Sequence, residues 1–410
     1  MVLTFKLAWR SLWRNKRRTL ITMSSIGLGL FLAVVFIAIA EGFYAKMIDD
    51  AVRIQGGHIT LEHPEYRGAP AVDLAISEDH AFRQRIARLP AVEEVKALIL
   101  GQGVAQSSAN GVGVVVMGVE PAIEVRSSPL AKRIIRGTYL EEITGRDVVI
   151  GSGLARQLKL DIGKKLVLTT NDVYGNLVEE LTRVKGIFEV GSDEVDGYLV
   201  QVPIGFARTL FSLGPDQVTQ LGVVLRDPDD LQDTLREIRA MIAGKPVAAY
   251  SWDQILPELA SYIAMDGYSN QIYQGLLLFL IMFTIFNTIL MSVLERRREF
   301  AVVLAMGTPP RRLQVQILLE SAYLGLLGCV LGLILGGGVS YLLKIYGLDL
   351  SSFLKEGTAI AGVAVSPIVY ARLTAGLLGT LGLTVFGTTL LLSIYPMRRA
   401  ATVPVADVLR

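Results

Sequence analysis

The chain has 410 residues, 51% of them hydrophobic and 19% charged, with 40 basic against 38 acidic side chains. A soluble domain carries about 25% charged residues, so the balance points to a membrane protein, and a net charge of +2 gives a nucleic-acid partner no electrostatic footing. The single cysteine, Cys329, excludes intrachain disulfides and cysteine-built metal sites.

The charge deficit is concentrated in four long apolar runs. Ahead of the first, residues 1–18 form an amphipathic helix on the cytoplasmic face. Phe5, Ala8, Trp9, Leu12 and Trp13 fall on one stripe, with Lys6, Arg10, Arg14 and Arg17 on the other. Tryptophan at headgroup depth and basic residues toward anionic lipid are the mark of an interfacial helix. Residues 19–41 are long enough to cross a bilayer. Ala38-Ile39-Ala40 resembles a signal cleavage site, but the run exceeds an ordinary signal core and reads as a retained span.

Residues 42–270 have ordinary charge and strand-like alternation, and read as a large extracytoplasmic α+β domain. Ile54–Glu62, Val92–Gln106 and Gly113–Val119 read as strands. Ser77–Leu89 reads as a helix with Ser77 as its cap. Leu221–Arg226, Pro228–Ala243 (with Asp227 or Asp229 near its start) and Val247–Ser251 repeat the strand–helix–strand order. Two such units separated in sequence suggest a ferredoxin-like split βαβ sandwich, with residues 120–215 as an inserted β-rich subdomain. Gly42–Val52 and Asp253–Gln271 read as helical stalks. His58 and His63 flank the first strand as solvated surface residues.

The second span is 271–294 and the third 313–346, where Gly328, Gly332 and Gly336 stand four apart as a close-packing face. A short extracytoplasmic loop, 347–369, carries Asp349, Lys355 and Glu356. The fourth span is 370–395, ended by Pro396, and the tail 396–410 carries Arg398, Arg399 and Arg410. Basic residues at 14–18, 296–298, 311–312 and 398–410 put both termini in the cytoplasm.

No phosphate loop, nucleophile elbow or HExxH motif is present. Glu320 is the one ionisable group well inside a span, and its expected role is an ion pair with Arg311, Arg312 or a neighbouring helix end. Asn287 and Thr288 read as interhelical hydrogen-bonding groups. With no engine in the chain, the cytoplasmic segment 295–312 becomes the place where work would enter. Phe300, Val303, Leu304 and Met306 put apolar surface on a short helix that also carries Glu295, Arg298 and Glu299. Gly307 ends it, and Pro309-Pro310 forbids direct continuation. Phe31, Val35, Ile39 and Phe43 on the first span, with Phe279, Phe283, Phe286 and Asn287 on the second, form a candidate apolar cargo groove.

At these residues the chain resembles a known family. LERRREFAVVLAMGTPPRRLQVQILLES is similar to the coupling-helix signature of ABC-transporter permeases of the MacB, LolC/LolE and FtsX type, the type VII ABC class. Glu295, Arg296, Arg298, Glu299, Phe300, Ala305, Met306, Gly307 and Glu320 match it, followed by the basic pair Arg311 and Arg312. Ala301 stands where the pattern has Gly, and Leu304 where Arg or Lys is common. LAWRSLWRNKRRTLIT, DVVIGSGLARQLKLDIGKKLVL with VKGIFEVGSDEVDGYLVQVP, and YPMRRAATVPVADVLR resemble further family segments in the same order.

The resemblance implies a membrane permease subunit in a bacterial inner membrane, paired with a second permease as homodimer or paralogue heterodimer. Each would be bound by a separate ABC ATPase subunit that holds ATP and Mg; no cofactor is implied for this chain. The implied work is mechanotransmission, extracting or exporting lipoproteins or other lipidated cargo, with a periplasmic chaperone or adaptor as a further partner. Two other jobs fit the same resemblance: efflux of peptides or macrolides, and regulation of a cell-wall hydrolase. In one lipoprotein-releasing permease the connection matching Asn171–Arg183 carries a long hook that recruits a chaperone. Here NDVYGNLVEELTR reads as a short hairpin with Tyr174-Gly175-Asn176 near its tip, which weakens hook-type capture.

Overall fold

The computed structural model describes residues 2–14, 16–352, 359–360, 363–364 and 368–401. Lys355, Glu356, Arg410 and the rest of the closing tail lie outside the described residues. In chain order the principal helices are α1 (Val2–Arg14), α2 (Lys16–Gln55), α3 (His80–Ala87), α4 (Leu231–Met241), α5 (Pro257–Glu295), α6 (Arg297–Ala305), α7 (Pro310–Tyr346) and α8 (Ala375–Ala401). The chain divides into two compact units. One comprises 1–45, 265–349 and 368–410, and the other 46–264 with 350–367.

The first unit is helical. Four helices, α2, α5, α7 and α8, are long and apolar enough to cross a membrane. Between them small residues set the approach, because lipid tails compete with any large apolar contact and close backbone packing does not. A Cβ on Gly328 would fall 2.7 Å from Ile26 Cβ, one on Gly332 2.7 Å from the Gly27 carbonyl, and one on Gly336 2.9 Å from Val34 Cβ. The glycine face of α7 therefore lies directly on α2. Ile281, Ile285 and Ile289 of α5 join Ile26, Leu30 and Val34 in one buried cluster with Cys329 and Val385.

Two boundaries in this unit differ from those read in the sequence. Residues 370–374 are not helical: Ile368-Val369 pairs as a strand with Leu348-Asp349, and α8 begins only at Ala375. At its other end α8 passes through Pro396 and ends at Ala401. Proline removes one N–H and invites a bend without forbidding helix. Here Met397 and Ala400, beyond the proline, pack against Phe300, Leu313 and Ile317, and that packing holds the last turn helical.

The second unit is built on one hydrogen-bonded sheet of ten strands: β1 (Ile59–Glu62), β2 (Val92–Gln106), β3 (Gly111–Val119), β4 (Ile134–Gly137), β5 (Asp147–Gly151), β6 (Lys165–Asn171), β7 (Leu177–Phe188), β8 (Leu199–Pro203), β9 (Gln220–Leu225) and β10 (Ala248–Ser251). The order β10-β1-β9-β2 is antiparallel throughout. α3 links β1 to β2 across β9, and α4 links β9 to β10 across β1. Beyond Ile99 the strand β2 changes partners. It pairs with β3 and with β6, β6 pairs with β7, β7 with β5, β5 with β8 and β8 with β3, so six strands close into a ring. Closure removes the open edges that would otherwise template aggregation. The β-rich part is thus entered inside β2, ahead of residue 120, and one apolar core runs from Phe82 and Ile238 under the helices to Leu166 and Val200 in the ring.

Local punctuation explains the remaining shifts. The segment read as a strand from Ile54 is helical to Gln55. Gly56 and Gly57 (φ +124 and +134) then turn the chain onto β1, and a Cβ on Gly57 would lie 2.6 Å from the Val223 carbonyl. Asp79, not Ser77, caps α3: its carboxylate accepts the Ala81 N–H at 3.0 Å, while Ser77 belongs to a short strand with Gln217-Val218. Asp227 caps the turn before α4, accepting the Asp229 N–H at 3.0 Å. His58 is buried, with Nδ1 accepting the Leu225 N–H at 3.2 Å, so it is a core residue of the sheet and not a solvated one. Burial lowers its pKa.

Candidate coupling site

The segment between α5 and α7 folds into a hairpin for reasons visible in its residues. Arg296 leaves helical geometry (φ −99°, ψ 12°) and separates α5 from α6. α6 ends in a Schellman arrangement: the Gly307 N–H reaches the Leu304 carbonyl at 3.0 Å, the Thr308 N–H reaches Val303 at 3.3 Å, and Gly307 takes φ +88. Pro310 then opens α7 at the one position where its missing N–H costs nothing.

The hairpin has an inner and an outer side. Phe300 is buried against Val293, Leu313, Ile317 and Ala400, with Leu304 and Met397 packed on the same cluster, and Ala301 is fully buried beside it in sequence. Phe300 and Leu304, expected on the docking surface, are therefore anchors: their side chains hold α6 onto α7 and α8. Met306 is 73% exposed, and Val302, which the sequence reading missed, also points outward. Glu295, Arg297, Arg298, Ala305, Gly307, Arg311 and Arg312 are exposed around them, and Val303 is half-buried between the two sides. The outer surface is a small apolar knob inside a basic ring.

The charges of the motif are divided the same way. Arg296 Nη1 lies 3.0 Å from Glu320 Oε2, with side-chain exposures of only 13% and 9%. Ser11 Oγ donates to Glu320 Oε1 at 2.5 Å and Gln316 Nε2 does so at 3.3 Å. The partner of Glu320 is thus the neighbouring helix end, Arg296 at the close of α5, and not Arg311 or Arg312. Eight residues along one helix amount to about 12 Å of rise, which puts Arg312 out of reach. Arg14 Nη2 grips both oxygens of Glu299, at 2.7 and 2.8 Å, and Arg296 Nε adds a third contact at 3.1 Å. The Arg14 hydrogen bond holds the Glu299 carboxyl below the usual carboxylate range, and the same bond raises Arg14. The Arg296 guanidinium also lies over the Phe300 ring, 5.0 Å from its centroid.

The candidate groove residues do not form one wall. Phe279 and Phe283 face outward from α5, 60% and 61% exposed, and Asn287 is exposed beyond them. Phe286 turns the other way, onto Tyr395 of α8 at 5.7 Å. Phe31, Val35, Ile39 and Phe43 are half-buried along α2. Thr288 donates to the Thr284 carbonyl of its own helix at 2.8 Å instead of bridging helices. Among the described residues no group of three or more His, Cys, Asp or Glu side chains is placed to hold a metal.

Two family models match the chain. The MacB-like periplasmic core domain covers residues 19–241 and the FtsX-like permease C-terminal domain covers 272–405. The chain belongs to the MacB, LolC/LolE and FtsX family of ABC-transporter permeases. It is similar to the lipoprotein-releasing system transmembrane protein LolC of Xylella fastidiosa, 25% identical over 80% of this chain and 78% of that one. With LolE of Haemophilus influenzae the identity is 21% over 99% and 98%. With the macrolide export ATP-binding/permease protein MacB of Wolinella succinogenes it is 25% over 83% of this chain and 53% of that protein. In this permease the hairpin, both ion pairs and the α7 glycines all fall within the matched C-terminal part or α1. The connection between β6 and β7 is a tight turn, in which Asp172 Oδ1 accepts the Tyr174 and Asn176 N–H groups at 2.9 and 2.8 Å, with Gly175 at φ +80.

Proposed function

We propose that this chain is the permease subunit of an ATP-driven complex that draws lipoproteins or other lipidated, amphipathic cargo out of the bacterial inner membrane. It has no ATPase site of its own in this reading: a dimer of separate ABC ATPase subunits binds ATP and Mg. The carrying observation is the coupling hairpin, whose anchored inner side and exposed knob of Val302 and Met306 suit a partner's groove on the cytoplasmic face. Both termini are cytoplasmic in this topology and the ten-stranded unit is periplasmic. Its β10-β1-β9-β2 order with two crossover helices supports a ferredoxin-like porter half. The outward Phe279 and Phe283 fit a groove completed by a second permease, identical or paralogous, in contact with membrane lipid.

The Lol names of several relatives favour lipidated cargo. The short β6–β7 turn argues against a chaperone hook on this subunit, so a periplasmic chaperone or adaptor would dock elsewhere or on the partner permease. Expressed with its ATPase, the permease should co-purify with lipidated protein identifiable by mass spectrometry, and alone it should turn over no ATP. Macrolide or peptide in place of acylated protein would move the assignment to export, and turnover by the lone chain would refute the division of labour.

A further inference from the structure

α1 has two apolar edges with different surroundings. Ala8 and Leu12 are fully buried, and Thr19 Oγ1 donates to the Leu12 carbonyl at 2.6 Å, which fixes the corner between α1 and α2. Phe5, Trp9 and Trp13, at i, i+4 and i+8, are 47%, 41% and 42% exposed. Lys6 and Arg10 are exposed beside them. Trp9 also sits edge-on to Tyr323 of α7, 5.3 Å between centroids. This aromatic edge stands where α2 begins its apolar run, and the charges next to it are basic, so the surface it matches is an anionic leaflet.

The same helix holds α6. Arg14 takes both Glu299 oxygens on its exposed side, and Ser11 reaches Glu320, which Arg296 shares with Glu299. We propose that α1 is a lipid-anchored strap: its Phe5-Trp9-Trp13 edge seats in an anionic lipid surface, and the Arg14–Glu299 clasp carries that seating to the coupling hairpin. Arg14 and Ser11 are positioning residues that act through Glu299 and Glu320. The strap sets how productively the hairpin moves, not whether a partner binds its knob. This rests on the reading of α6 as the ATPase contact.

Two measurements need no ATPase. Trp252→Phe leaves Trp9 and Trp13 as the only indoles. Their fluorescence in nanodiscs should be quenched by brominated acyl chains, and more strongly when phosphatidylglycerol accompanies phosphatidylcholine. In Lys6→Cys with Val302→Cys, which leave the Arg14–Glu299 clasp in place, nitroxide labels on the two cysteines should give a narrower distance distribution with phosphatidylglycerol present; Cys329 is buried and does not compete. In the complex, phosphatidylglycerol should raise ATP turnover per bound ATPase several-fold. Arg14→Gln should abolish that dependence without changing the amount of ATPase bound, and Arg14→Lys should restore part of it. Equal quenching and equal distance distributions in both lipids, or an Arg14→Gln complex that follows the parent, would overturn the strap. If Met306→Asp still binds the ATPase in full, it is the docking reading that fails, and the lipid measurements on the lone permease then judge the strap separately.

Discussion

The two units place their side chains by opposite rules. In the helical unit many large residues face outward, with Phe279, Phe283 and Leu276 exposed on α5, while Gly328, Gly332, Ser340 and Thr389 are packed inside beside the isoleucine cluster. In the sheet unit Phe188, Phe211, Ile59 and Leu98 are fully buried. The difference is one of solvent. Water drives apolar surface inward, whereas hydrocarbon is indifferent to it, so helices there associate by close backbone approach. The coupling hairpin stands where the two rules meet: Phe300 is buried as in a soluble core, and Met306 is left exposed.

Substitutions should separate the two rules, and the largest effects belong to the cores. Phe188→Ala should cost the sheet unit about 3–5 kcal/mol, read as a loss of its thermal transition, whereas Phe279→Ala on the lipid side should leave folding within about 0.5 kcal/mol. Arg296→Ala leaves the Glu320 carboxylate buried without its cation, a change worth about 3–5 kcal/mol in buried pairs. Arg14→Gln breaks an exposed pair (61% and 48%) worth about 0.2–1 kcal/mol, so helical-unit stability should barely move even where coupling does. Gly332→Leu forces side-chain atoms against the Gly27 carbonyl and should cost about 1–3 kcal/mol or more, seen as weaker retention of the α2–α7 contact by crosslinking.

A pH dependence is expected in the sheet unit. Burial keeps His58 neutral, so its folded pKa lies below the unfolded value of about 6.5. The unfolded chain then binds the extra proton, and stability present above about pH 6.5 is lost as pH falls through that value, by up to about 1.4 kcal/mol per pH unit. His58→Asn, which keeps an acceptor for the Leu225 N–H, should flatten the slope of the melting temperature between pH 7 and pH 5.

The four long apolar helices and the hairpin were legible because they rest on runs of composition and on punctuation: long apolar stretches, then Gly307 and Pro309-Pro310. What was not legible depends on partners far away in sequence. Glu320 could be seen as an ion-pair residue, but its choice of Arg296 over Arg312 is set by how α5 meets α7. Phe300 reads as surface on a short helix, and its burial is set by Ala400 and Leu313 packing around it. Ring closure depends on β2 being long enough to change partners at Ile99, which periodicity cannot reveal. Pro396 reads as a stop in any sequence, and only packing beyond it keeps α8 helical. For the groove residues the sequence supplied aromatics at helical spacing, but that spacing does not tell outward Phe283 from inward Phe286.

On the proposed function, the outer side of α6 receives the ATPase while its inner side is anchored. Val302→Asp with Met306→Asp, in the full permease co-expressed with its ATPase, tests it most directly by the amount of ATPase retained on purification. The ATPase should be lost while the permease keeps its yield and its melting temperature. Full retention of the ATPase by that variant would contradict it.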